Sequence, residues 1–488
     1  MQNNRFCNKN RGDKTMKQNL ALLTDFYELT MMNGYLKNGM ADKVAVFDLF
    51  FRQGRESSFC IACGLEQAID YIKNISFDKE EIEYLRSLGS FDEEFLTRLE
   101  NFKFSGDIRA IPEGTVVFPD EPLMVIKASV FEAQLLESAL LNIVNFQTLI
   151  GTKAARVVRA ARGKGVLEFG LRRAQAPDAA TYGARAAIIG GCVATSNVLA
   201  SQMFGTDPKG THAHSWVMSF EDEITAFRAY ADLYPTNCLL LIDTYDTLKS
   251  GLPNAITVFK ELREKGYEPV GVRLDSGDLA YLTKTVRRLL DIEGFPNAKI
   301  FVSGDLDEYT IESLHYQGAQ IDVYGVGTRL ITSHSNPSLG GVYKIAEFDG
   351  KAKMKISNNA IKITNPGEKE IYRIYDGTTQ MAVADFICLK DEQFDFSQPL
   401  TITHPTERWK KQTLDNYFAK SLYVDVIKNG EIVYDFPTVA QVQRQCTNSL
   451  NEFWSEYKRL DKPQIYKVDL SDKLYDIKQE LLAKGGKR

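Results

Sequence analysis

The middle of the chain alternates short apolar runs with amphipathic stretches of helical spacing. The apolar runs lie at residues 166–169, 192–195, 239–242, 270–274, 300–302 and 321–324, and each is followed by a polar cluster. Continuously apolar strands that alternate with helices are typical of a parallel sheet covered on both faces. The pattern predicts an α/β barrel over residues 141–340, with an open, doubly wound sheet as the alternative.

The segments on either side of this repeat have different patterns. Between residues 20 and 140 we expect a helix over 20–40, a strand at Val44–Phe51, helices near 64–74 and 78–100, and short strands over 106–128. Another helix is expected over 131–162, where the barrel begins. Residues 341–488 are β-rich at first and then predict helices near 438–459 and 471–484. We expect the two flanks to pack together as one discontinuous α+β domain.

The polar first residues, 1–19, predict a disordered extension and contain neither a signal peptide nor a membrane anchor. The composition of the whole chain, 44% hydrophobic and 25% charged over 488 residues, is that of a globular protein with about three domains or subdomains. A net charge of −5 disfavours nucleic-acid binding, which needs a basic face. No apolar run approaches the roughly 20 residues that cross a membrane. The seven cysteines lack the spacing of a disulfide framework, so we expect free thiols in a reducing cytoplasm.

Polar clusters follow the predicted strands at their carboxyl ends, which is where α/β barrels build active sites. The acidic members are Glu168, Asp243, Asp246, Asp275, Asp278 and Asp305. Such carboxylates can hold sugar hydroxyls or Mg²⁺, although a single Asp after a strand also serves as a helix N-cap. The basic members are Arg172, Arg173 and Arg273, which either pair with these carboxylates or bind an anion. The loop Gly325-Val-Gly-Thr328 offers backbone amides to a phosphate.

The segment 205–220 concentrates glycines, a hydroxyl group and two of the five histidines before a predicted helix. A Gly-Thr turn that enters a helix presents unpaired N–H groups to an anionic oxygen, and a histidine beside it can act as nucleophile, base or ligand. His212 and His214 could also simply cap a loop. Our hypothesis is that His214 is a nucleophile that accepts a phosphoryl group. The chain has no P-loop motif, so ATP, if it is used, is bound differently.

Taken together, these segments resemble the nicotinate phosphoribosyltransferase family. The resemblance includes Gly210-Thr-His-Ala-His-Ser-Trp216 and Gly271-Val-Arg-Leu-Asp-Ser-Gly-Asp-Leu279. The other matching segments are residues 24–31, 168–173, 194–198, 243–245, 325–328 and 338–344, in the family's order. The resemblance implies an irregular α/β barrel of the type II phosphoribosyltransferase kind, flanked by an α+β domain built from both ends of the chain.

The resemblance also implies an activity. The family transfers phosphoribosyl from 5-phosphoribosyl 1-diphosphate to nicotinate, yielding nicotinate mononucleotide and diphosphate for NAD biosynthesis. The transfer is coupled to hydrolysis of ATP through a phosphohistidine, with Mg²⁺ as cofactor. The expected partners are therefore these small molecules, with no nucleic acid and no membrane, and the expected assembly is a cytoplasmic homodimer.

Individual roles follow from the resemblance, position by position. His214 is the phosphorylated histidine, and Asp275 acts with Asp305 on the ribose hydroxyls. The nicotinate-binding positions are Tyr27, Thr211 and Arg273. The donor-binding position is Thr328, in the loop that contains Gly325 and Gly327. Phe169 and Arg172 match ring-stacking and anion-contacting positions of the related nicotinamide enzymes. Candidate diphosphate ligands, reaching across a dimer interface, are Arg52, Lys344 and Lys355.

Two alternatives stay open at this point. One is a nicotinamide phosphoribosyltransferase, which would place an Asp where this chain has Ser196; a carboxylate there would repel nicotinate, so Ser196 favours the acid. The other is an α/β-barrel phosphohydrolase in which His214 carries a transient phosphate taken from a sugar phosphate.

Overall fold

Six parallel strands form the centre of the molecule, as the alternating pattern predicts. The structure is a computed structural model that describes residues 19–52, 59–357 and 362–485. The predicted disordered extension lies, except for residue 19, outside these described residues. In spatial order the six strands are Ala194–Thr195, Gly165–Glu168, Val323–Val326, Lys299–Ser303, Gly271–Leu274 and Leu239–Leu241, and every neighbouring pair is parallel.

Helices cover the outside of this sheet because its strands are apolar on both faces. Leu240, Val272 and Ile300, for example, are fully buried. The helices of this part are Glu137–Ala160, Pro177–Ile189, Val198–Phe204, His214–Met218, Glu223–Leu233, Leu252–Glu264, Leu279–Ile292, Glu308–Tyr316 and Thr328–Ile331. Short 3₁₀ or π turns lie at Leu171–Arg173, Pro235–Asn237 and Thr247–Gly251.

An irregular segment closes the sheet into a barrel. The two edge strands, Ala194–Thr195 and Leu239–Leu241, have the segment 208–212 between them. On one side Lys209 donates its N–H to the carbonyl of Thr195 at 2.9 Å. On the other side the Leu241 N–H donates to the His212 ring at 3.1 Å. The predicted irregular α/β barrel is thereby confirmed, and the open sheet is excluded.

The flanking domain draws strands from both ends of the chain. Its seven-stranded antiparallel sheet contains, in spatial order, Lys351–Ala352, Gly341–Phe348, Val44–Phe51, Met124–Ser129, Asp107–Ala110, Val424–Lys428 and Glu431–Ile432. A six-stranded mixed sheet packs beside it, in the order Lys411–Leu414, Leu400–Thr403, Val468–Leu470, Ala382–Leu389, Lys369–Asp376 and Tyr417–Ser421. A two-stranded sheet pairs Cys60–Ile61 with Val116–Val117. One hydrophobic core joins these N- and C-terminal elements, as predicted.

The helices of this domain are Phe26–Lys37, Leu65–Asn74, Lys79–Ser87, Glu93–Glu100, Val130–Leu135, Val439–Asn451 and Asp472–Gly485, with a 3₁₀ turn at Ser455–Lys458. The single helix predicted over 78–100 is wrong. Gly89, with φ of +66°, ends the first helix, and the carboxylate of Asp92 caps the second by accepting the Phe95 N–H.

Other predicted helices have different bounds: the one over 20–40, for example, spans only Phe26–Lys37. The helix predicted over 131–162 is interrupted at Leu136, and the one over 438–459 ends at Asn451. No helix among the residues that the structure describes is both long enough and apolar enough to span a membrane.

Candidate active site

The carboxyl ends of the barrel strands hold a hydrogen-bonded network centred on Arg273. Its Nη1 donates to the hydroxyl of Thr211 at 3.1 Å, and its Nε donates to the hydroxyl of Ser303 at 2.9 Å. Its Nη2 donates to Oδ1 of Asp275 at 3.1 Å. These contacts fix the plane of the guanidinium while leaving other N–H groups free, as bidentate binding of an anion requires.

Asp275 is held in its charged form by the same network. Burial opposes its ionisation, but a short hydrogen bond from the Ser303 hydroxyl and the charge of Arg273 together keep the pKa of this carboxyl below its usual value. The side chain is one-third exposed, so it remains accessible to a ligand. An ionised, partly exposed carboxylate is suited to accept hydrogen bonds from sugar hydroxyls.

His214 lies at the same face, as the first residue of the short helix His214–Met218. Its side chain is 40% exposed. Nδ1 is 3.2 Å from the hydroxyl of Thr244, while Nε2 is 4.0 Å from Oδ1 of Asp243 and 4.0 Å from Oδ2 of Asp275. The imidazole is therefore open to solvent and has two carboxylates on its Nε2 side.

Asp243 is the more deeply buried of these two carboxylates. Its Oδ2 accepts the backbone N–H of Asp275 at 2.9 Å and the hydroxyl of Ser276 at 2.6 Å. Its Oδ1, which faces His214, has no hydrogen-bond partner among the described residues. An acceptor oxygen beside an imidazole stabilises the positive charge that forms when the ring reacts.

A cavity of about 380 Å³ opens beside this network inside the barrel. Its walls include Phe169, Thr211, Arg273, Gly325 and Lys209. The Arg273 guanidinium carbon lies 5.5 Å from the centre of the Phe169 ring, which packs against Gly325 so closely that a Cβ there would meet ring carbons at 2.6 Å. The cavity thus combines a flat aromatic face with two cations, a combination that suits a planar ring bearing a negative charge.

Two loops at the carboxyl ends of neighbouring strands contain the predicted positions Asp305, Gly327 and Thr328. The first of these loops passes close to Asp275. A Cβ on Gly304 would lie 2.2 Å from the carbonyl oxygen of Asp275, so only glycine fits. The following residue, Asp305, is exposed and adopts φ of +43°, an unfavourable left-handed conformation for a non-glycine residue. Gly327 and the exposed Thr328 follow the neighbouring strand Val323–Val326.

The acidic residues of the sequence pattern divide into two groups. Asp243 and Asp275 face the site, and Asp305 lies exposed just after the strand Lys299–Ser303. Asp246 and Asp278 are helix caps: they accept the backbone N–H groups of Leu248 and Tyr281. Glu168 is also not available to a ligand, because it is fully buried and accepts the Thr195 hydroxyl and the Gly170 N–H.

Other candidates lie apart from the Arg273 network. Arg172 and Arg173 are exposed in a 3₁₀ turn, and Ser196 lies just beyond Ala194–Thr195, where its N–H donates to the Glu168 carbonyl at 3.0 Å. Tyr27 belongs to the flanking domain, on helix Phe26–Lys37; it is 46% exposed, and burial of its hydroxyl together with Glu137 raises its pKa.

The candidate diphosphate ligands also belong to the flanking domain. Lys344 donates to Glu137 at 3.3 Å, Arg52 follows the strand Val44–Phe51, and Lys355 is exposed. Within the described part of the chain, no contact joins these residues or Tyr27 to the barrel site.

Sequence reasoning missed four groups at this site: Lys209, Thr244, Ser276 and Ser303. Each lies within a segment that the sequence analysis singles out, but lysine, threonine and serine carry no positional signal by themselves. Among the described residues, no three His, Cys, Asp or Glu side chains lie together in a group that could hold a metal ion.

Comparison with known proteins identifies relatives along almost the whole chain. The family model "Nicotinate phosphoribosyltransferase (NAPRTase) family" matches residues 165–391, and the models of that enzyme's N-terminal and C-terminal domains match residues 22–145 and 368–478. Nicotinate phosphoribosyltransferase of Bacillus subtilis (strain 168) is 44% identical over 466 residues, covering 94% of this chain and 95% of that protein. The Caenorhabditis elegans protein of the same name is 35% identical, covering 93% of this chain and 92% of that protein.

A similar solved structure agrees with these sequence relatives. The crystal structure of human nicotinic acid phosphoribosyltransferase superimposes with a TM-score of 0.85 at 29% identity. The match covers 94% of this chain and 99% of the human one. The similarity therefore includes the barrel and the flanking domain alike.

Proposed function

The chain belongs to the nicotinate phosphoribosyltransferase family, and from that premise we propose that it transfers phosphoribosyl from 5-phosphoribosyl 1-diphosphate to nicotinate in NAD biosynthesis. The products are nicotinate mononucleotide and diphosphate. We further propose that ATP drives the reaction through a phosphorylated His214. The observation that carries this proposal is the exposed His214 imidazole beside Asp243 and Asp275, since Asp275 in turn binds Arg273, which lines the barrel cavity.

Nicotinate fits the cavity by shape and charge. Its pyridine ring stacks on Phe169, and its carboxylate binds the free N–H groups of Arg273, with Thr211 holding the guanidinium in place. Lys209 adds positive charge to the same cavity. A neutral amide gains less from these two cations than a carboxylate does, so the cavity selects the acid.

Transfer of the ribosyl group proceeds through a centre with oxocarbenium character. The bond from C1 to the diphosphate oxygen breaks as the pyridine nitrogen bonds to C1, and diphosphate leaves with both bonding electrons. Asp275 and Asp305 hold the ribose hydroxyls, and the loop with Gly325, Gly327 and Thr328 binds the 5-phosphate. Mg²⁺, bound through phosphate oxygens, would neutralise the leaving diphosphate; Asp243 and Asp275 are the oxygen ligands that this chain offers nearby.

The surroundings of His214 suit a nucleophile that becomes positively charged. The lone pair of the unprotonated ring nitrogen attacks the γ-phosphorus of ATP, and Asp243 and Asp275, each 4.0 Å from Nε2, stabilise the positive charge that develops on the ring. The N–P bond forms as the bond to ADP breaks, and water later takes the phosphoryl group to give phosphate. The phosphohistidine adds about −1.5 to −2 charges at the mouth of the cavity, which can order loops around the donor.

The proposed oligomeric state rests on residues that lie apart from the barrel site. We propose a homodimer in which Tyr27 and the cations Arg52, Lys344 and Lys355 of the flanking domain complete the site of a second copy. Tyr27 and Lys355 are exposed and Arg52 and Lys344 are half-buried, on a domain that makes no described contact with its own barrel site, and this supports the arrangement. Arg172, exposed at the barrel rim, then contacts an anionic substrate group. The cytoplasm, where these nucleotides occur, is the proposed location.

Incubation with γ-³²P-labelled ATP tests the proposal directly. We expect label on the wild-type chain and none on His214→Ala, which should keep slow transfer that does not depend on ATP. His404→Ala is the control: this residue lies just after the strand Leu400–Thr403 of the flanking domain, and the variant should be labelled normally. Label retained by His214→Ala would overturn the role of His214, and inert ATP with rapid hydrolysis of sugar phosphates would identify a phosphohydrolase instead.

A further inference from the structure

His212 lies two residues before the proposed phosphoryl acceptor, yet its environment is the opposite of that of His214. Its side chain is buried, with its ring centre 4.7 Å from that of Tyr230 in an edge-on arrangement and 6.2 Å from that of Phe227. Burial lowers the pKa of the imidazole to about 4, so the ring is neutral near pH 7. A neutral ring in an aromatic pocket has no access to a substrate.

Nε2 of this ring contacts the main chain of the barrel. The N–H of Leu241 donates to Nε2 of His212 at 3.1 Å. Leu241 ends the edge strand Leu239–Leu241 and is buried. A buried backbone N–H without an acceptor is destabilising, and here the strand that would normally supply a carbonyl is missing. The imidazole occupies the place of that carbonyl.

The opposite side of the segment is held by ordinary backbone contacts. Pro208 forms a parallel bridge with Thr195, and the Lys209 N–H donates to the Thr195 carbonyl at 2.9 Å. The segment 208–212 therefore joins the two barrel edges, with a side chain forming one of the two connections.

We propose that His212 is a positioning residue: its ring closes the barrel and thereby places Thr211 against Arg273 and His214 against Asp243. The two neighbours depend on the same short segment, since Thr211 precedes His212 directly and His214 follows after one residue. The role requires a hydrogen-bond acceptor at the position of Nε2. It requires neither a charged side chain nor a nucleophilic one.

Glutamine and methionine separate these requirements. Both are unbranched and similar in length, but the carboxamide oxygen of Gln can accept the Leu241 N–H as Nε2 does, whereas the thioether of Met is only a weak acceptor. His212→Gln and His212→Met thus form a matched pair, and both are milder than truncation to alanine.

Hydrogen exchange measured by mass spectrometry on peptides that contain the Leu241 amide gives the direct readout. We expect about tenfold faster exchange of this amide in His212→Met than in the wild type, and near-wild-type exchange in His212→Gln. This measurement requires neither substrate nor ATP, so it stands even if the proposed function fails. Equal exchange of the amide in both variants would overturn the proposal.

Kinetics supply the second readout, which rests on the proposed function. In His212→Met the KM for nicotinate should rise about tenfold and the rate of His214 phosphorylation should fall by a similar factor, while the KM for the phosphoribosyl donor changes less. His212→Gln should restore most of both. A purely structural histidine would instead lower the melting temperature of both variants without this selective effect, and that result would contradict the positioning role.

Discussion

Nη2 of Arg273 lies 3.1 Å from Oδ1 of Asp275, two residues further along the same strand end. Residues i and i+2 point to the same side of an extended chain, so the two side chains meet at the mouth of the barrel cavity. The pair orients the guanidinium, and the hydroxyls of Thr211 and Ser303 complete its support. The cation is thus fixed in place before a substrate arrives, which lowers the cost of ordering it on binding.

Arg273→Ala should raise the KM for nicotinate about 10- to 100-fold, because a charge-assisted hydrogen bond contributes about 1.5–3 kcal/mol. The KM for ATP should change far less. Steady-state kinetics with each substrate varied in turn measure both. Arg228→Ala, which removes an exposed pair with Glu261 on the outer helices, is the control for loss of an arginine. Equal increases of the two KM values would argue against a role of Arg273 in binding the acid.

Gly325→Ala tests the packing beneath the Phe169 ring. The new Cβ would lie 2.6 Å from two ring carbons, so the ring must move. We expect a loss of about 1–3 kcal/mol of stability from overpacking and a raised KM for nicotinate, because the stacking face is displaced. Chemical denaturation and kinetics on the same preparation measure the two effects.

The matched control is Gly34→Ala on helix Phe26–Lys37, where a Cβ meets nothing within 4 Å. Since alanine is the better helix former, that variant should be as stable as the wild type or slightly more stable. A Gly325→Ala protein with native affinity for nicotinate would mean that Phe169 does not stack on the substrate.

Much of the barrel and part of its site could be predicted because their signals are local. Each strand is an apolar run, and polar residues that follow parallel strands must meet at one end of the sheet. That reasoning places Asp243, Asp275 and Arg273 together, as the structure does. The same reasoning cannot separate a ligand-binding Asp from a helix cap, and Asp246 and Asp278 are caps.

The closure of the barrel had no local signal at all. It depends on a hydrogen bond between His212 and Leu241, 29 residues apart. In this bond a side chain supplies the acceptor that a neighbouring strand would normally supply. Thr244 is missed for the same reason, since its contact with His214 crosses 30 residues. The helix predicted over 78–100 breaks at Gly89, and a single glycine inside an otherwise helical pattern does not by itself indicate the end of a helix.

Glu28 predicts a pH dependence of stability. It is fully buried, accepts hydrogen bonds from Thr24 and Ser138, and its burial raises its pKa from 4.5 to about 7. Since the folded state binds this proton more tightly than the unfolded state, the contribution to stability is complete below pH 4.5 and is lost as the pH rises to about 7.

Glu28→Gln cannot ionise, so its free energy of unfolding relative to the wild type should increase over that window, by about 3 kcal/mol at most. Denaturant unfolding at several pH values between 4.5 and 8 measures the difference. Glu80→Gln, an exposed change on helix Lys79–Ser87, should follow the wild type throughout. Parallel pH curves for Glu28→Gln and the wild type would show that this carboxyl titrates normally.

Ser196 provides the sharpest test of selection between nicotinate and nicotinamide. Thr195 is paired with Glu168 in the parallel sheet, so Ser196 lies beside Phe169 at the end of the neighbouring strand. A carboxylate placed there, beside the ring on which nicotinate is proposed to stack, would repel the carboxylate of nicotinate. Ser196→Asp should therefore raise the KM for nicotinate about tenfold, equivalent to about 1.4 kcal/mol, and should shift the preference toward nicotinamide. Ser196→Asn has nearly the same shape without the charge, and it should change the KM for nicotinate much less. Competition assays with both pyridines decide the matter: if Asp and Asn impair nicotinate equally, bulk rather than charge controls this position, and the cavity cations alone select the acid.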